Sequence, residues 1–406
     1  MNNNNNNNSP DRKKTHNICM IAYRSVPKDI NRMKIARSLQ NNGYDVNFVG
    51  LKYGNRPDAE KVNDINITKV ANELKTNNFF SVYINHIVYM INAFSKIYSL
   101  NKSKKFSLFH VHNPPDYLIL VAIPFKLING SRIILDLHDM FPEAVESNLQ
   151  FKGNGILIKA AEIIERFAIS YSDAVIATNS YDKKIITSRN KIDPDRVFVV
   201  MNTPNLNQYP VETASKGDFG LENKFIVLFE GTVWKRRGIQ TVIDAIDQLK
   251  DKAPIYLLIV GDGPSLQYLK DIVDEKDLSD FVEFTGWVDI SLLSKYISIA
   301  DVCVIPFLKT KVNERGVPNK LFEYTIHGKP IIASRLKGMT LTFSENEEVL
   351  FFEPGNADDL AEKILRCHEN PKDIERMTLN AKKRYHEEYL WPKIEKNLYE
   401  CYESVY

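Results

Sequence analysis

Short runs of β-branched and aromatic residues alternate along almost the whole chain with longer stretches whose apolar positions recur every three or four residues. Runs of the first kind read as strands buried on both faces and stretches of the second kind as the helices that cover them, which together predict parallel sheets of α/β type. In the first half the strand candidates are residues 17–23, 44–51, 106–112, 132–138, 173–179 and 197–202. In the second half they are 225–231, 255–261, 282–286, 301–307, 330–334 and 349–353. Each set is enough for one doubly wound sheet. Between them, residues 202–220 hold Pro204, Asn205, Asn207, Pro210 and Gly217, the punctuation of a linker. A chain of 406 residues exceeds one ordinary core. The expected organisation is therefore a first Rossmann-like domain over 17–204 and a second over 205–388, with an aromatic-rich helical tail from 389 to 406.

Two further stretches fall outside that alternation. Residues 1–16 open with a run of Asn followed by Arg12, Lys13 and Lys14. That composition predicts a disordered tail, and no apolar h-region marks a signal peptide. Residues 76–95 are uncharged and aromatic, but Asn77, Asn78, Ser81, Asn85, His86 and Asn92 make them too polar for a membrane span. The spacing of Phe80, Tyr83, Ile84, Ile87, Val88, Ile91 and Phe94 predicts an amphipathic helix over 78–98 instead. Such a helix either packs on its own domain or leans on lipid with the help of Lys102, Lys104 and Lys105.

Charge changes the picture only locally. The net charge of +2 conceals a basic N-terminal part, because residues 11–105 hold 17 Lys and Arg against 7 Asp and Glu, a balance of +10. That asymmetry fits an anionic partner, a phosphate-bearing acceptor or an anionic membrane, or else a solvated basic face; nothing suggests nucleic acid. Cys19, Cys303, Cys367 and Cys401 are far apart and form no C-x-x-C pair. They read as reduced thiols of a cytoplasmic protein, at the inner face of a membrane if the aromatic helix leans on lipid. No D-x-D stands at a strand end and the 8 His show no ligand spacing, so neither metal nor cofactor is expected.

In open α/β sheets ligands bind outside the carboxyl ends of the strands. Four segments occupy such places: 26–32, 138–143, 231–238 and 315–323. The last runs into a helix for which Asn319 is the expected N-cap and Gly328 the C-cap, with Pro330 barring continuation. Free N–H groups at a helix N-terminus suit a diphosphate, here on Asn319, Lys320 and Leu321, while Glu323 one turn inside can accept from a ribose diol.

These residues belong to a larger pattern. Glu230-Gly-Thr, Arg237-Gly, Val260-Gly-Asp-Gly-Pro264, Phe284-Thr-Gly-Trp-Val288, Ala300-Asp-Val-Cys-Val-Ile-Pro306 and Pro318-Asn-Lys-Leu-Phe-Glu-Tyr324 with Gly328-Lys-Pro330 follow one another in the order found in retaining GT-B glycosyltransferases of family four. The second half resembles that family closely. The first half agrees through His110-Val-His-Asn-Pro-Pro115 and Asp136-Leu-His-Asp-Met-Phe-Pro-Glu143, and the Trp391 helix is similar to the family's tail. The resemblance implies two Rossmann-like domains facing a cleft, with the C-terminal helix crossing back to the first. It also implies a retaining transferase of hexosyl or N-acetylhexosaminyl type, acting on a nucleotide diphosphate sugar and a glycan or lipid-linked acceptor, as in polysaccharide, capsule or lipopolysaccharide synthesis. The alternatives are a nucleotide-sugar epimerase of the same fold and a non-catalytic carbohydrate-binding relative.

By the same resemblance Glu323 holds the nucleotide ribose and Arg237 the donor diphosphate, with Lys235, Arg236 and Lys320 assisting. Gly231 and Thr232, the turn with Gly261 and Gly263, and the loop with Trp287 and Val288 line the donor site. His138 stands beside the donor sugar, while Asp29, Arg32, His112, Asp139 and Glu143 form the acceptor side. One position departs from the pattern. The first of the family's two glutamates, eight residues before Glu323, is Arg315 here, and Glu314 is one residue too early. A basic residue there would suit the carboxylate of a uronic-acid donor.

Overall fold

The computed structural model describes residues 16–26, 28–52, 57–72, 79–147, 155–206 and 211–406. The expected tail therefore lies outside the described residues except for His16. That residue packs its ring 4.0 Å from Tyr406 and takes the amide of Asp45 on its carbonyl, so it belongs to the fold.

All twelve expected strands form. The first sheet comprises β1 (Asn17–Ser25), β2 (Asp45–Lys52), β3 (Ala59–Val62), β4 (Ile65–Asn72), β5 (Leu108–His112), β6 (Arg132–Leu137), β7 (Ala174–Ala177) and β8 (Val197–Val199). Their order is β3-β4-β2-β1-β5-β6-β7-β8, parallel throughout except for the antiparallel β3–β4 pair. That hairpin was not expected: β3 is short and polar, and Lys69 and Asn66 break the apolar run of β4. Lys69 is nevertheless buried against Glu60 at 2.7 Å, which lets a charged edge strand join the sheet. The second sheet comprises β9 (Phe225–Glu230), β10 (Ile255–Val260), β11 (Val282–Gly286), β12 (Val302–Ile305), β13 (Ile331–Ser334) and β14 (Leu350–Phe352), all parallel in the order β11-β10-β9-β12-β13-β14. Helices Ile239–Leu249 and Ala357–Glu369 bury Ile243, Ile246, Leu360 and Ile364 against one face of it, beside Val227 and Leu257.

Both orders reverse once, between β1 and β5 in the first sheet and between β9 and β12 in the second. At such a switch point the flanking loops part and leave a crevice at the strand ends. The chain divides into two compact units: residues 1–178, 186–200 and 397–406 form one, and 179–185 with 201–396 the other. The division after Val200 precedes the linker expected at 204/205. Along the last helix, Trp391–Glu403, the first unit resumes at Asn397 rather than at 389. Asn397 donates to the Val199 carbonyl at 2.9 Å and Tyr399 to that of Ser38 at 3.2 Å.

The aromatic helix runs over Phe79–Lys104, and the side chain of Phe80 lies outside the described residues. It packs on its own domain, but by a different face from the expected apolar stripe. Tyr89, Ala93 and Ile97 meet the sheet, with the Tyr89 hydroxyl donating to the carbonyls of Ala22 at 2.8 Å and Val49 at 3.1 Å. The stripe from Tyr83 to Phe94, expected either to pack on the domain or to lean on lipid, is exposed. A helix apolar on two faces carries no periodic signal for which face turns inward, and the Tyr hydroxyl and small Ala93 decide it.

Candidate active site

In the second unit the site is built at the β9/β12 switch point. The chain leaves β9 at Glu230, turns through Gly231 and Thr232 and forms a short 3-10 turn over Lys235–Arg237. Gly238 closes that turn with φ 68°, and a Cβ there would lie 1.9 Å from the Pro306 carbonyl, so only glycine lets this loop rest on the end of β12. Buried Asn313 holds the arrangement by donating to the carbonyls of Arg236 at 3.0 Å and Leu308 at 2.8 Å. Gly261 and Gly263 serve the same end. A Cβ on Gly261 would meet the Gly231 carbonyl at 2.1 Å, and one on Gly263 the Val233 carbonyl at 2.4 Å. The glycines expected to line the donor site thus let two loop backbones touch.

Helix Asn319–Ile326 supplies the other wall. Its N-cap is Pro318 rather than Asn319, with no side-chain capping bond, and Gly328 follows the C-cap His327 at φ 64°. Extended backbone at Pro318 moves the helix start back by one residue and makes Asn319 the first helical position. The first-turn amides of Asn319 and Lys320 are therefore left for a ligand, whereas Leu321, fully buried, bonds back to the Pro318 carbonyl at 3.0 Å. Lys320 reaches across to the Glu230 carbonyl at 2.7 Å and its carboxylate at 3.0 Å. Glu230 had no expected role of its own, although it opens the Glu-Gly-Thr motif.

Two charged groups here lack counter-ions. Among the described residues, the carboxylate of Glu323 has no hydrogen-bond or ion-pair partner. Burial, and then repulsion from Glu230, raise its pKa to about 7 in spite of Lys320. Arg237 lays its guanidinium 4.2 Å from the Phe307 ring centroid and meets no carboxylate within ion-pair distance among the described residues. Burial and the neighbouring Arg236 lower its pKa to about 10, so it stays protonated. Trp287 stands 79% exposed after β11, with Val288 half-buried beside it.

Arg315 is placed differently from the expectation. It is buried and donates to Asp182 at 2.9 Å, while Asn179 donates to its carbonyl at 3.1 Å. Its charge is compensated within the protein, which removes the reason for matching it to a uronate. The partner comes from a helix start 133 residues away in sequence, which no local pattern reveals.

In the first unit the β1/β5 switch point gathers a histidine cluster. Asp136, at 2% exposure, accepts through one carboxylate oxygen from His112 at 2.8 Å, His138 at 3.0 Å and His110 at 3.3 Å. Burial alone would raise its pKa, but the imidazoles, His138 foremost, hold it well below the carboxylate range. Burial in turn depresses His110 and His112, so both are neutral at neutral pH. Tyr402 of the C-terminal helix meets the other nitrogen of His110 at 2.7 Å. The ligand spacing absent from the sequence is thus produced by folding, since His110, His112 and Asp136 lie close enough together to hold an ion. As they stand, both imidazoles bond to Asp136 and stack on each other.

Asn113 organises the neighbouring loops. Its side-chain oxygen accepts from the amides of His138 at 2.7 Å and Asp139 at 3.2 Å, and its amide donates to Asp116 at 2.7 Å. Asp29 caps helix Ile30–Asn41 and pairs with Arg32, which donates to the Asn113 carbonyl at 2.8 Å. Asp29, Arg32, His112 and Asp139 therefore converge. Glu143 is instead engaged by Arg189 at 3.1 Å. The Asn-Pro-Pro run was the available signal for Asn113; Tyr402 left none.

Comparison with known proteins agrees with both halves. Residues 212–384 match the family described as glycosyl transferases group 1, and residues 33–208 match Glycosyltransferase Family 4. An uncharacterized glycosyltransferase of Methanocaldococcus jannaschii is 21% identical over 397 residues, covering 95% of this chain and 97% of its own. The Escherichia coli UDP-Gal:alpha-D-GlcNAc-diphosphoundecaprenol alpha-1,3-galactosyltransferase is 23% identical over 298 residues, or 71% of this chain and 73% of its own. Among solved structures, a sucrose-phosphate synthase from Thermosynechococcus elongatus superposes with a TM-score of 0.78 at 19% identity, over 96% of this chain and 99% of its own. The shared fold is GT-B.

Proposed function

Because this chain belongs to the group 1 glycosyltransferases and uses a nucleotide sugar donor, we propose that it transfers a hexosyl or N-acetylhexosaminyl residue, with retention of configuration, to a glycan or lipid-linked acceptor. The observation that carries the reading is Glu323, with no hydrogen-bond or ion-pair partner among the described residues, and Arg237, which meets no carboxylate among them, beside the uncapped start of helix Asn319–Ile326. The ribose diol donates to Glu323. The diphosphate takes the amides of Asn319 and Lys320 and the charge of Arg237, and the base lies by the loop with Trp287 and Val288. In the transition state the C1–O bond to the diphosphate breaks while the acceptor oxygen bonds C1 from the same face. The acceptor proton passes to a departing phosphate oxygen, so no protein nucleophile is needed. Arg237 matters most here, because the negative charge it meets grows as the bond breaks. His138, its amide held by Asn113 and its Nε2 by Asp136, offers its other ring nitrogen to a sugar hydroxyl.

The lipid-linked acceptor is supported by the Escherichia coli relative, whose name gives a diphosphoundecaprenol-linked substrate. The test is incubation with a panel of nucleotide sugars and a diphosphate-lipid acceptor, with the product anomer read by NMR. An inverted product would remove the retaining mechanism. Conversion of the donor with no acceptor present would point to an epimerase. Activity lost to a chelator and restored by a divalent ion would assign a metal to the reaction.

A further inference from the structure

We propose that the outer face of helix Phe79–Lys104, together with the end of helix Ile123–Asn129, is a docking surface for an anionic lipid bilayer. On the long helix Ile84, Ile87 and Ile91 are 58%, 56% and 63% exposed. Their spacing of three and four places them on one face, with Val88, Phe94 and Tyr98 continuing it toward the C-terminus. Leu127 and Ile128 on the shorter helix are 71% and 81% exposed. A cavity of about 920 Å³ joins the two helices, lined by Phe94, Tyr98, Phe125 and Ile128 and by the cations Lys102 and Lys105. Contiguous apolar exposure of this kind is rare on a soluble surface without a partner.

Charge decides which partner. Between residues 79 and 135 the single acidic residue is Asp116, and it is fully buried, whereas Lys96, Lys102 and Lys105 are exposed; Arg132, also exposed, pairs with Asp173 at 3.4 Å. Lys102 lies 5.0 Å from the Tyr98 ring, so its apolar stem can run along the patch while the ammonium reaches outward. Phosphate headgroups complement that rim, and acyl chains complement the isoleucines. A second copy would bring the same cations against these, which disfavours an isologous dimer. No helix among the described residues is long and apolar enough to cross a membrane, and Lys96, Asn92 and Ser95 interrupt this one. The geometry is that of a helix lying in the interface plane, its roughly 39 Å length along the bilayer.

The test uses the full chain with neither donor nor acceptor, so it is independent of the proposed reaction. Sedimentation is measured with phosphatidylcholine vesicles with and without phosphatidylglycerol, across a salt series. Binding is expected only with the anionic lipid, and weakening as salt rises. Lys102→Gln with Lys105→Gln should lower it about 25-fold, at about fivefold per cation. Ile91→Asp with Ile128→Asp should lower it at least as far. Far-UV circular dichroism and Tm are expected to stay close to wild type in both variants and serve as the control for folding. Wild type that ignores anionic vesicles at low salt overturns the proposal, as do variants that bind like wild type. A wild-type dimer that Ile91→Asp makes monomeric, without vesicle binding, assigns the face to a second copy.

Discussion

In the second unit Glu323 and Arg237 meet no counter-ion among the described residues, whereas in the first unit Asp136 is enclosed by His110, His112 and His138. Both regions lie at the switch point of a parallel sheet, and both concentrate buried ionisable groups. The first satisfies its carboxylate within the protein; the second leaves its carboxylate and guanidinium without an opposite charge among the described residues. A carboxylate whose pKa rises because nothing solvates it gains when a diol donates to it, and a half-buried guanidinium gains when a diphosphate meets it. Unanswered polarity is thus the better marker of a binding site, and answered polarity of a scaffold that fixes a side chain such as His138.

The largest effect expected from breaking this contrast is at Asp136. Asp136→Ala leaves buried imidazoles without their shared acceptor and should cost about 3–5 kcal/mol of stability, read by hydrogen exchange in β5 and β6. Acid should act in the same direction in the wild type. The His110 and His112 pKa values are depressed by burial, so below about pH 6.5 the unfolded chain takes up protons that the native one refuses. Asp136, held low, adds its own loss only at more acidic pH. Exchange in these strands that is unchanged in Asp136→Ala would mean that the cluster does not hold the sheet.

Arg237→Ala should act on rate instead. Removing a cation that answers developing charge costs about 10²–10³ in kcat, with only a small loss of Tm, because among the described residues the guanidinium packs on the Phe307 ring and pairs with no carboxylate. Parallel loss of Tm and activity would make Arg237 a structural residue. Glu323→Ala comes next and should weaken nucleoside diphosphate binding by roughly 1.5–3 kcal/mol, the scale of hydrogen bonds to a charged group. Calorimetry showing unchanged affinity would take Glu323 out of the site.

Much of this was legible before folding. Strand positions and the chemistry at strand ends follow from local pattern, because a doubly wound sheet puts its loops where the chain leaves each strand. Glu323 and the helix start stood out for that reason, within one residue at the cap, whereas Arg237 stood out through the family resemblance. What stayed hidden depends on partners distant in sequence. Asp182 neutralises Arg315 across 133 residues, and Tyr402 reaches His110 across 292. The inward face of helix Phe79–Lys104 was hidden for a different reason, since its apolar residues surround most of the axis. Local periodicity cannot rank two apolar faces; the Tyr89 hydroxyl and its two carbonyl acceptors do so.

The smallest effect is also the most specific to the contrast, and it concerns the pH dependence of ligand binding. In the free protein Glu323 has a pKa of about 7, against an ordinary value of 4.5. Its raised value means that ionising the carboxylate opposes folding above the ordinary range, so Glu323 alone makes the empty second unit less stable as pH rises through 7, opposite in sign to the histidine cluster. A diol donates to the ionised form, so the ligand must draw the proton off. Affinity for a nucleoside diphosphate should therefore rise about tenfold from pH 6 to pH 7.5, on the scale of 1.4 kcal/mol per decade, and level off above. The ligand's own phosphate titrates in the same direction, which makes the Glu323→Gln variant the necessary comparison. That variant cannot ionise, so it should keep only the phosphate's share of the slope. If Glu323→Gln and wild type show the same pH profile, the raised pKa has no bearing on binding, and Glu323 is a buried acid like Asp116 rather than the ribose acceptor.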